Sequence, residues 1–381
     1  MRKKICFVVA VPGTANAFLV DHIHALAEEY DVYIAGNIKS QSDISKLEVK
    51  DYFQFDVQRG ISLVNDIKAI WQLYRYFKRM KFDAVHSVTP KAGMTTAIAA
   101  RMAGIKHRTH IFTGQVWATR KGLMRRLLKS IDKVTASLDN HILVDGESQR
   151  WYIIKNGVVS EKKSRVLGAG SISGVNTDRF IPSDEVRAQV RKELNLSADK
   201  VVFTFMGRAN REKGIHELLQ AFDNIAANHP EAFLLFFGSD EDGCLEKTTN
   251  YHNIKEGENY LFYGRTPTPG IHLQASDVFV MPSYREGFGS SVIEASCLGL
   301  PVICSDAYGI MDAMVEGETG LRCKVADVPT LQSAMETMLG DVEMRERMGK
   351  NGRQRVLDNF KGSAITAEWV KFYHEIVPPT D

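Results

Sequence analysis

The chain has 381 residues, of which 44% are hydrophobic and 25% charged, with a formal net charge of +2 at pH 7. This length exceeds what one hydrophobic core usually serves and predicts two domains, while the ordinary composition excludes a disordered, collagen-like or disulfide-scaffold protein. The small net charge conceals an asymmetry, because residues 1–170 carry +12 and the remainder carries −10. We therefore expect different partners for the two halves, with nucleic acid and an anionic membrane surface as candidates for the basic one.

The N-terminus reads Met-Arg-Lys-Lys, followed by the short apolar run Ile5–Val11. This run is too short for a signal-peptide core with its cleavage site, and it predicts a first buried strand. No stretch of the sequence has the roughly 20 apolar residues that a membrane-spanning helix needs. Five cysteines without CxxC spacing are typical of a reducing compartment and do not predict a metal site. These features favour a cytoplasmic protein.

Apolar runs alternate with helical patterns along the first half. Strands are predicted at Ile5–Val11, Val32–Ala35, Val85–Val88 and Thr109–Thr113, and helices at Ala17–Glu29 and Thr95–Ala103. Strands that alternate with helices predict a parallel, doubly wound sheet.

The second half repeats the same alternation. Strands are predicted at Val201–Met206, Phe233–Phe237, Leu261–Tyr263, Val278–Met281 and Pro301–Cys304, and helices at Ile215–Ala227, Ser291–Leu298, Pro329–Leu339 and Val342–Leu357. The segment Gly168–Asn176 is rich in Gly and Ser without periodicity and predicts the domain boundary. We therefore expect an α/β protein with domains at residues 1–172 and 173–360, followed by a helix in residues 361–381 that returns to the first domain.

The segment Pro282–Asp306, PSYREGFGSSVIEASCLGLPVICSD, contains the most informative pattern. Gly287 and Gly289 let the backbone approach a ligand closely, and Ser290 or Ser291 then begins a helix. Because the free N–H groups and the dipole of a helix start favour anions, this turn predicts a binding site for a diphosphate.

Two glutamates, Glu286 and Glu294, flank this turn eight positions apart. Carboxylates beside a phosphate site are suited to accept hydrogen bonds from the hydroxyls of a sugar and a ribose. An alternative stays open, because Ser291 and Glu294 also match a capping box that requires no ligand.

A second loop, Gly207–Gly214, lies between a predicted strand and a predicted helix. Arg208 and Lys213 are placed to bind a phosphate through charge-assisted hydrogen bonds, although a solvated basic turn is the alternative. The loop lacks the GxxxxGK[ST] pattern, and no GxGxxG follows the first strand, which disfavours a dehydrogenase. Both loops follow parallel strands at their carboxyl ends, where such sheets bind ligands.

These residues resemble the C-terminal domain of retaining glycosyltransferases of family 4, which have the GT-B fold of two Rossmann-like domains facing a cleft. Glu286 and Glu294 match the family's Glu-x7-Glu motif, and Arg208 and Lys213 match its GR-x4-KG signature. The interdomain GV(D/N)xxxF segment is matched by Gly174, Val175, Asn176 and Phe180. The resemblance spans nearly the whole chain.

The resemblance implies that Arg208 and Lys213 hold the donor diphosphate and neutralise charge as the nucleotide leaves. Glu294 would bind the ribose hydroxyls, and Glu286 would bind hydroxyls of the donor sugar. The family needs neither a metal nor another cofactor, since basic side chains and a helix dipole stabilise the diphosphate.

The resemblance also implies positions whose backbone contacts the donor. Backbone amides would complete the diphosphate site at Phe288, Gly289, Ser290 and Ser291. The backbone around Arg265 would meet the nucleobase, and Gly13, in the first strand–helix turn, would let the N-terminal domain approach the diphosphate.

One departure from the family concerns a histidine. Family members often carry His just after the strand that corresponds to Thr109–Thr113, where this chain has Gly114 and Gln115. His110 lies earlier and is predicted to be structural. His86, at the end of its strand, is a substrate-binding candidate in the cleft, with a structural role as the alternative.

Two basic segments contain interleaved aromatic and apolar residues. The first, Trp71–Phe82, includes Arg75, Lys78, Arg79 and Lys81. The second combines Arg120, Lys121, Arg125, Arg126 and Lys129 with Trp117, Leu123, Met124 and Leu127. Basic amphipathic helices of this kind lie on membrane surfaces. A core stripe with a solvated face is the alternative for the first segment, and a phosphorylated acceptor is the alternative partner for the second.

The combined prediction is a retaining glycosyltransferase that moves a hexose or N-acetylhexosamine from a nucleotide, with UDP favoured, to a lipid-linked or oligosaccharide acceptor. It would act in surface polysaccharide biosynthesis as a peripheral protein on the inner face of the plasma membrane, without nucleic acid as a partner. Two alternatives remain. A sugar-nucleotide epimerase would turn over the donor without an acceptor, and in a non-catalytic sugar-nucleotide-binding protein the glutamates would be structural.

Overall fold

The computed structural model describes residues 1–57, 62–245 and 250–380, and the chain divides into two compact units. Unit 1 comprises Met1–Gly174 together with Gly362–Asp381, and unit 2 comprises Val175–Lys361. The division after Gly174 falls two residues beyond the predicted boundary at residue 172, inside the Gly- and Ser-rich segment.

A seven-stranded parallel sheet forms the centre of unit 1. Its strands are β1 (Lys4–Val9), β2 (Asp31–Gly36), β3 (Asp51–Gln54), β4 (Ala84–Val88), β5 (His107–Phe112), β6 (His141–Val144) and β7 (Ser164–Val166), in the order β3-β2-β1-β4-β5-β6-β7. The connecting helices are α1 (Pro12–Phe18), α2 (Val20–Ala27), α3 (Leu63–Met80), α4 (Pro90–Ala103), α5 (Gly122–Leu138) and α6 (Glu147–Lys155). Along β1, Ile5, Phe7 and Val9 pack into one core. Cys6 and Val8 pack into a second core on the opposite face, so helices cover both faces, as the continuous apolar run predicts.

The predicted helix Ala17–Glu29 is wrong at its start. The chain forms α1 directly after β1 and then α2, with Leu19 between them at φ −112° and ψ −2°. Pro12 explains the early start, because proline fixes a helical φ and lacks the N–H that the first helical position leaves unbonded.

Unit 2 is built around a six-stranded parallel sheet. Its strands are β8 (Val201–Met206), β9 (Ala232–Phe237), β10 (Tyr260–Gly264), β11 (Val278–Met281), β12 (Val302–Ser305) and β13 (Gly320–Cys323), in the order β10-β9-β8-β11-β12-β13. Its helices are α7 (Asp184–Glu193), α8 (Ile215–Ala226), α9 (Pro269–His272), α10 (Ser290–Cys297), α11 (Val328–Gly340) and α12 (Val342–Asn359). Two core clusters, one on each face, make this a second doubly wound domain.

The last helix, α13 (Gly362–Ile376), belongs to unit 1. Its apolar stripe of Ile365, Trp369, Phe372 and Tyr373 is buried in the same core as β1. Trp369 is 1% exposed and stacks on the imidazole of His22 at a centroid distance of 4.5 Å. The C-terminal helix therefore completes the core of unit 1.

Candidate functional site

The centre of the unit 2 sheet brings the two predicted loops to one edge. β8 and β11 are neighbouring parallel strands, and their carboxyl ends lead into Gly207–Gly214 and Pro282–Gly289. The strand order changes direction between β8 and β11, and doubly wound sheets bind their ligands at such a point.

Lys213 and Glu286 join these two loops by an ion pair. Their side chains are 18% and 13% exposed, so both charges are largely withdrawn from water. Removing one partner from such a pair would leave the other charge poorly solvated and unpaired. The pair places a cation and a carboxylate hydrogen-bond acceptor side by side.

Further contacts that sequence reasoning missed join the loop Pro282–Gly289 to the loop Gly207–Gly214 and to the first turn of α8. Arg285 donates to the carboxylate of Glu212 at 2.5 Å, and the hydroxyl of Tyr284 donates to Glu217 at 2.5 Å. The backbone N–H of Tyr284 donates to the carbonyl oxygen of Glu212 at 2.8 Å. The two loops therefore form one connected surface.

Gly214 explains how the loops approach each other so closely. Its φ is +71°, and a Cβ at this position would lie 2.2 Å from the carbonyl oxygen of Pro282. Any other residue would combine left-handed backbone strain with a clash against a backbone atom. The final glycine of the GR-x4-KG signature is thus required by packing.

Helix α10 begins at Ser290, with Gly289 as its N-cap at φ +95°. Because glycine has no side chain to accept a backbone hydrogen bond, the capping-box alternative is wrong. Ser291 is the second helical residue, and its hydroxyl points to the sulfur of Met281 at 3.8 Å. No side chain caps this end of the helix. The N–H of Val292 donates to the carbonyl oxygen of Gly289 at 2.9 Å, so an anion would meet the N–H groups that precede it, those of Ser290 and Ser291.

Glu294 lies one turn into α10 and is partly buried. Burial raises the pKa of its carboxyl to about 7, and the guanidinium of Arg179 opposes this rise. In its ionised form this carboxyl accepts hydrogen bonds from hydroxyl groups.

The side chain of Arg208 is 59% exposed and takes no part in the Lys213–Glu286 ion pair. Its guanidinium pairs with Glu241, in the loop after β9, at 3.2 Å. Sequence reasoning did not assign this loop, although the acidic run Asp240-Glu241-Asp242, three residues after a predicted strand, was a visible signal.

Two further residues predicted to contact the donor, Phe288 and Arg265, lie in different environments. Phe288 is 2% exposed, and its ring packs against Phe360 in the core at 5.3 Å, so its side chain is part of the core. Arg265 is exposed and directly follows β10.

Gly13 lies within the first turn of α1 and not in a strand–helix loop. It is exposed, and no atom lies within 4 Å of the position that a Cβ would occupy. The fold of unit 1 therefore does not require glycine at this position.

His86 is wrong as a substrate-binding candidate, because its side chain is fully buried. Its ring stacks on Trp369 at 4.8 Å, and its Nδ1 shares a 2.9 Å hydrogen bond with the hydroxyl of Tyr373. Burial holds the pKa of His86 well below its usual value. His110 is also fully buried and bonds to the hydroxyl of Ser87 at 2.9 Å, so both histidines are structural.

The first basic segment, Trp71–Phe82, supplies core residues together with a solvated face. Leu73, Tyr76, Phe77 and Phe82 are buried in a core cluster, whereas Trp71 is 54% exposed. The core-stripe alternative therefore accounts for most of the apolar residues in this segment.

The second basic segment presents apolar side chains to solvent along α5. Leu123, Met124 and Leu127 are 81%, 50% and 49% exposed. Trp117 differs, because it is buried and its indole N–H donates to Asp132 at 2.7 Å. Trp117 therefore bonds to the middle of α5 and does not belong to the exposed face.

Neither a spanning helix nor a clustered metal site is found in the part of the chain that the structure describes. Within residues 1–57, 62–245 and 250–380, no helix is long and apolar enough to cross a membrane. Nor does this part contain a group of three or more His, Cys, Asp or Glu side chains placed to hold a metal ion. Metal independence stays a prediction.

Two families of known proteins match the chain, one in each unit. Residues 13–170 match the glycosyl transferase 4-like domain family, and residues 186–355 match the family of glycosyl transferases group 1. The chain is 31% identical to the capsular polysaccharide biosynthesis glycosyltransferase CapM of Staphylococcus aureus, over 85% of each chain. It is 29% identical to the UDP-Gal:alpha-D-GlcNAc-diphosphoundecaprenol alpha-1,3-galactosyltransferase of Escherichia coli, over 82% of this chain and 80% of the relative.

A solved structure agrees on the fold. Sucrose-phosphate synthase from Thermosynechococcus elongatus superimposes with a TM-score of 0.81 at 22% identity, covering 98% of this chain and 99% of that one. The two Rossmann-like units, the two family matches and the sequence identity to CapM lead to one assignment. The chain belongs to the glycosyltransferases with the GT-B fold, with a 4-like N-terminal domain and a group 1 C-terminal domain.

Proposed function

We propose that this enzyme is a retaining transferase that moves a hexose or N-acetylhexosamine from a UDP-sugar to a lipid-diphosphate-linked acceptor in surface polysaccharide synthesis. The observation that carries the proposal is the Lys213–Glu286 ion pair, followed four residues after Glu286 by the open amino end of α10. The names of the two relatives support the pathway, the nucleotide and the acceptor class.

Each group in unit 2 has a role in this reaction. Lys213, Arg208 and the first N–H groups of α10 would bind the diphosphate and stabilise the negative charge that grows on the leaving nucleotide. Glu286 would accept hydrogen bonds from hydroxyls of the donor sugar, and Glu294 from those of the ribose. The backbone around Arg265 would meet the base.

Retention follows if the acceptor hydroxyl attacks the anomeric carbon on the face from which the diphosphate departs. The bond between that carbon and the diphosphate oxygen breaks, the bond to the acceptor oxygen forms, and the acceptor proton passes to the leaving diphosphate. This route needs no enzymic base, which agrees with the structural roles of His86 and His110.

The exposed apolar side chains of α5 form the surface through which we propose that the enzyme contacts the membrane that carries the acceptor. Leu123, Met124 and Leu127 lie beside the exposed cations Lys121 and Arg126. Leucine burial in the lipid boundary and cation attraction to anionic headgroups both favour binding at an inner leaflet. We therefore place the enzyme on the cytoplasmic face of the plasma membrane.

The experiment measures transfer of labelled sugar from UDP-sugars to diphosphoundecaprenol-linked N-acetylglucosamine in anionic vesicles. We expect label in the organic phase with one UDP-sugar, and NMR should find the anomeric configuration of the donor in the product. Label that stays in the aqueous phase with every donor would exclude this acceptor class, and an inverted product would exclude retention.

The same vesicles test the α5 face. Replacing Leu123 and Leu127 together by serine should reduce co-sedimentation by about tenfold or more, since each buried leucine contributes about 1.5–3 kcal/mol. Val342→Ser, at an exposed valine of unit 2, is the matched control. Unchanged sedimentation of the double variant would rule out this face as the contact.

A further inference from the structure

Glu241 lies in a loop that runs beside the loop of the diphosphate-binding residues. The N–H of Ala209 donates to the carbonyl oxygen of Ser239 at 2.7 Å, and the N–H of Glu241 donates to that of Ala209 at 2.9 Å. These backbone bonds fix the loop after β9 next to Arg208 without any contribution from side-chain charges.

The carboxylate of Glu241 faces the guanidinium of Arg208 with both oxygens. The Nη1 of Arg208 lies 3.2 Å from one oxygen and 3.3 Å from the other, and the amide of Asn210 donates to the same group at 3.0 Å. A phosphate group would offer Arg208 the same kind of paired anionic oxygens. Both oxygens of Glu241 use the one Nη1, which leaves the Nε and Nη2 donors to a second anion. Glu241 and a phosphate would therefore compete for the charge of one guanidinium.

The neighbouring carboxylates of the acidic run bond to backbone groups. Asp242 accepts from the N–H of Arg211 at 2.8 Å. Asp240 accepts from the N–H groups of Cys244 and Leu245 at 3.0 and 2.8 Å. These contacts shape the loop, whereas Glu241 bonds to a cation that the donor needs.

We propose that Glu241 is an internal counter-ion that competes with the nucleotide diphosphate for Arg208 and thereby weakens the binding of donor and product alike. The inference rests on the proposed function. Since Arg208 is 59% and Glu241 35% exposed, the exchange of partners requires only side-chain rotation at the surface. Weaker binding favours release of the nucleoside diphosphate, and product release limits turnover in many enzymes.

The test is calorimetric titration of the full chain with UDP. Glu241→Gln keeps the size of the side chain and an acceptor for Asn210 but removes the charge. We expect the Kd for UDP to fall about two- to fivefold, the change that corresponds to an exposed ion pair. Glu241→Ala should act in the same direction, and Asp242→Asn, with the same loss of charge on the same loop, should change the Kd by less than about 1.5-fold.

A double-variant comparison isolates the pair. In an Arg208→Ala background, Glu241→Gln should leave the Kd for UDP unchanged. Weaker UDP binding by Glu241→Gln would overturn the inference, because Glu241 would then position Arg208 for the nucleotide. An equal decrease in the Kd for UDP in Asp242→Asn would also overturn the inference. So would a decrease caused by Glu241→Gln in the Arg208→Ala background. If the wild type bound neither UDP, GDP nor ADP, the proposed function itself would be wrong. The titration of the wild type alone detects this outcome and so separates it from a failure of the Glu241 inference.

Discussion

Replacing Lys213 with alanine is expected to lower kcat for sugar transfer by about 10²–10³-fold, the usual cost of losing one charge-stabilising group in an active site. Two effects combine in this variant. The leaving diphosphate loses a cation, and Glu286 loses the partner that holds its largely buried carboxylate. Initial rates at saturating donor and acceptor measure the change.

The controls separate chemistry from folding. Lys350→Ala removes an exposed lysine of α12 and should leave the rate unchanged. Lys213→Arg keeps the charge and should recover part of the lost rate. If Lys213→Ala retained more than about one third of wild-type kcat, the ion pair would be structural and the proposed role of Lys213 would be wrong.

Replacing Trp369 with alanine is expected to lower the free energy of unfolding by about 3–5 kcal/mol, as for other large aromatic side chains in cores. Trp369 is 1% exposed, and its ring lies between the imidazoles of His22 and His86 at 4.5 and 4.8 Å. The substitution leaves a cavity in the core that α13 shares with β1. Urea denaturation monitored by circular dichroism measures the loss.

An exposed position on the same helix provides the comparison. Lys371→Ala, which removes a side chain that is 66% exposed, should change stability by less than about 0.5 kcal/mol. A loss of less than about 1 kcal/mol for Trp369→Ala would mean that α13 does not form part of the unit 1 core.

Local patterns predicted the centre of unit 2 well. The bounds of β8 and β11 match the predictions residue for residue, because each is a short apolar run between turn residues. The loops after these strands carried the motif glycines, and Gly214 and Gly289 both have positive φ. Where a feature depends on backbone geometry within a short segment, as these strands and glycine turns do, sequence reasoning predicted it.

The failures concern contacts between distant segments. His86 sits on a strand as predicted, yet its partner Tyr373 lies 287 residues away, and the sequence does not say which strand α13 covers. The Arg208–Glu241 pair depends on β8 and β9 being neighbours, which the lateral order of the sheet decides. Trp117 matched an amphipathic pattern but is buried through its bond to Asp132.

Unit 1 was harder to predict because several of its elements carry weak signals. β3 is exposed or half-buried along its length, and β7 has three residues, so neither shows a clear apolar run. α3 and α5 were noticed for their charge and not for their role in covering the sheet. The structure of such elements depends on the residues that they pack against, and a single sequence does not reveal those contacts.

The most direct test of the account is the thermal stability of the chain with UDP-, GDP- and ADP-sugars at about 100 times their dissociation constants. We predict that a UDP-sugar stabilises the wild type by about 2.7 kcal/mol. The same shift should occur in Arg347→Ala, which removes an exposed arginine of α12, and should be reduced but still measurable in Arg208→Ala and Lys213→Ala. An equal shift in all four proteins, or no shift with any nucleotide sugar, would contradict a donor site built from the two loops of unit 2.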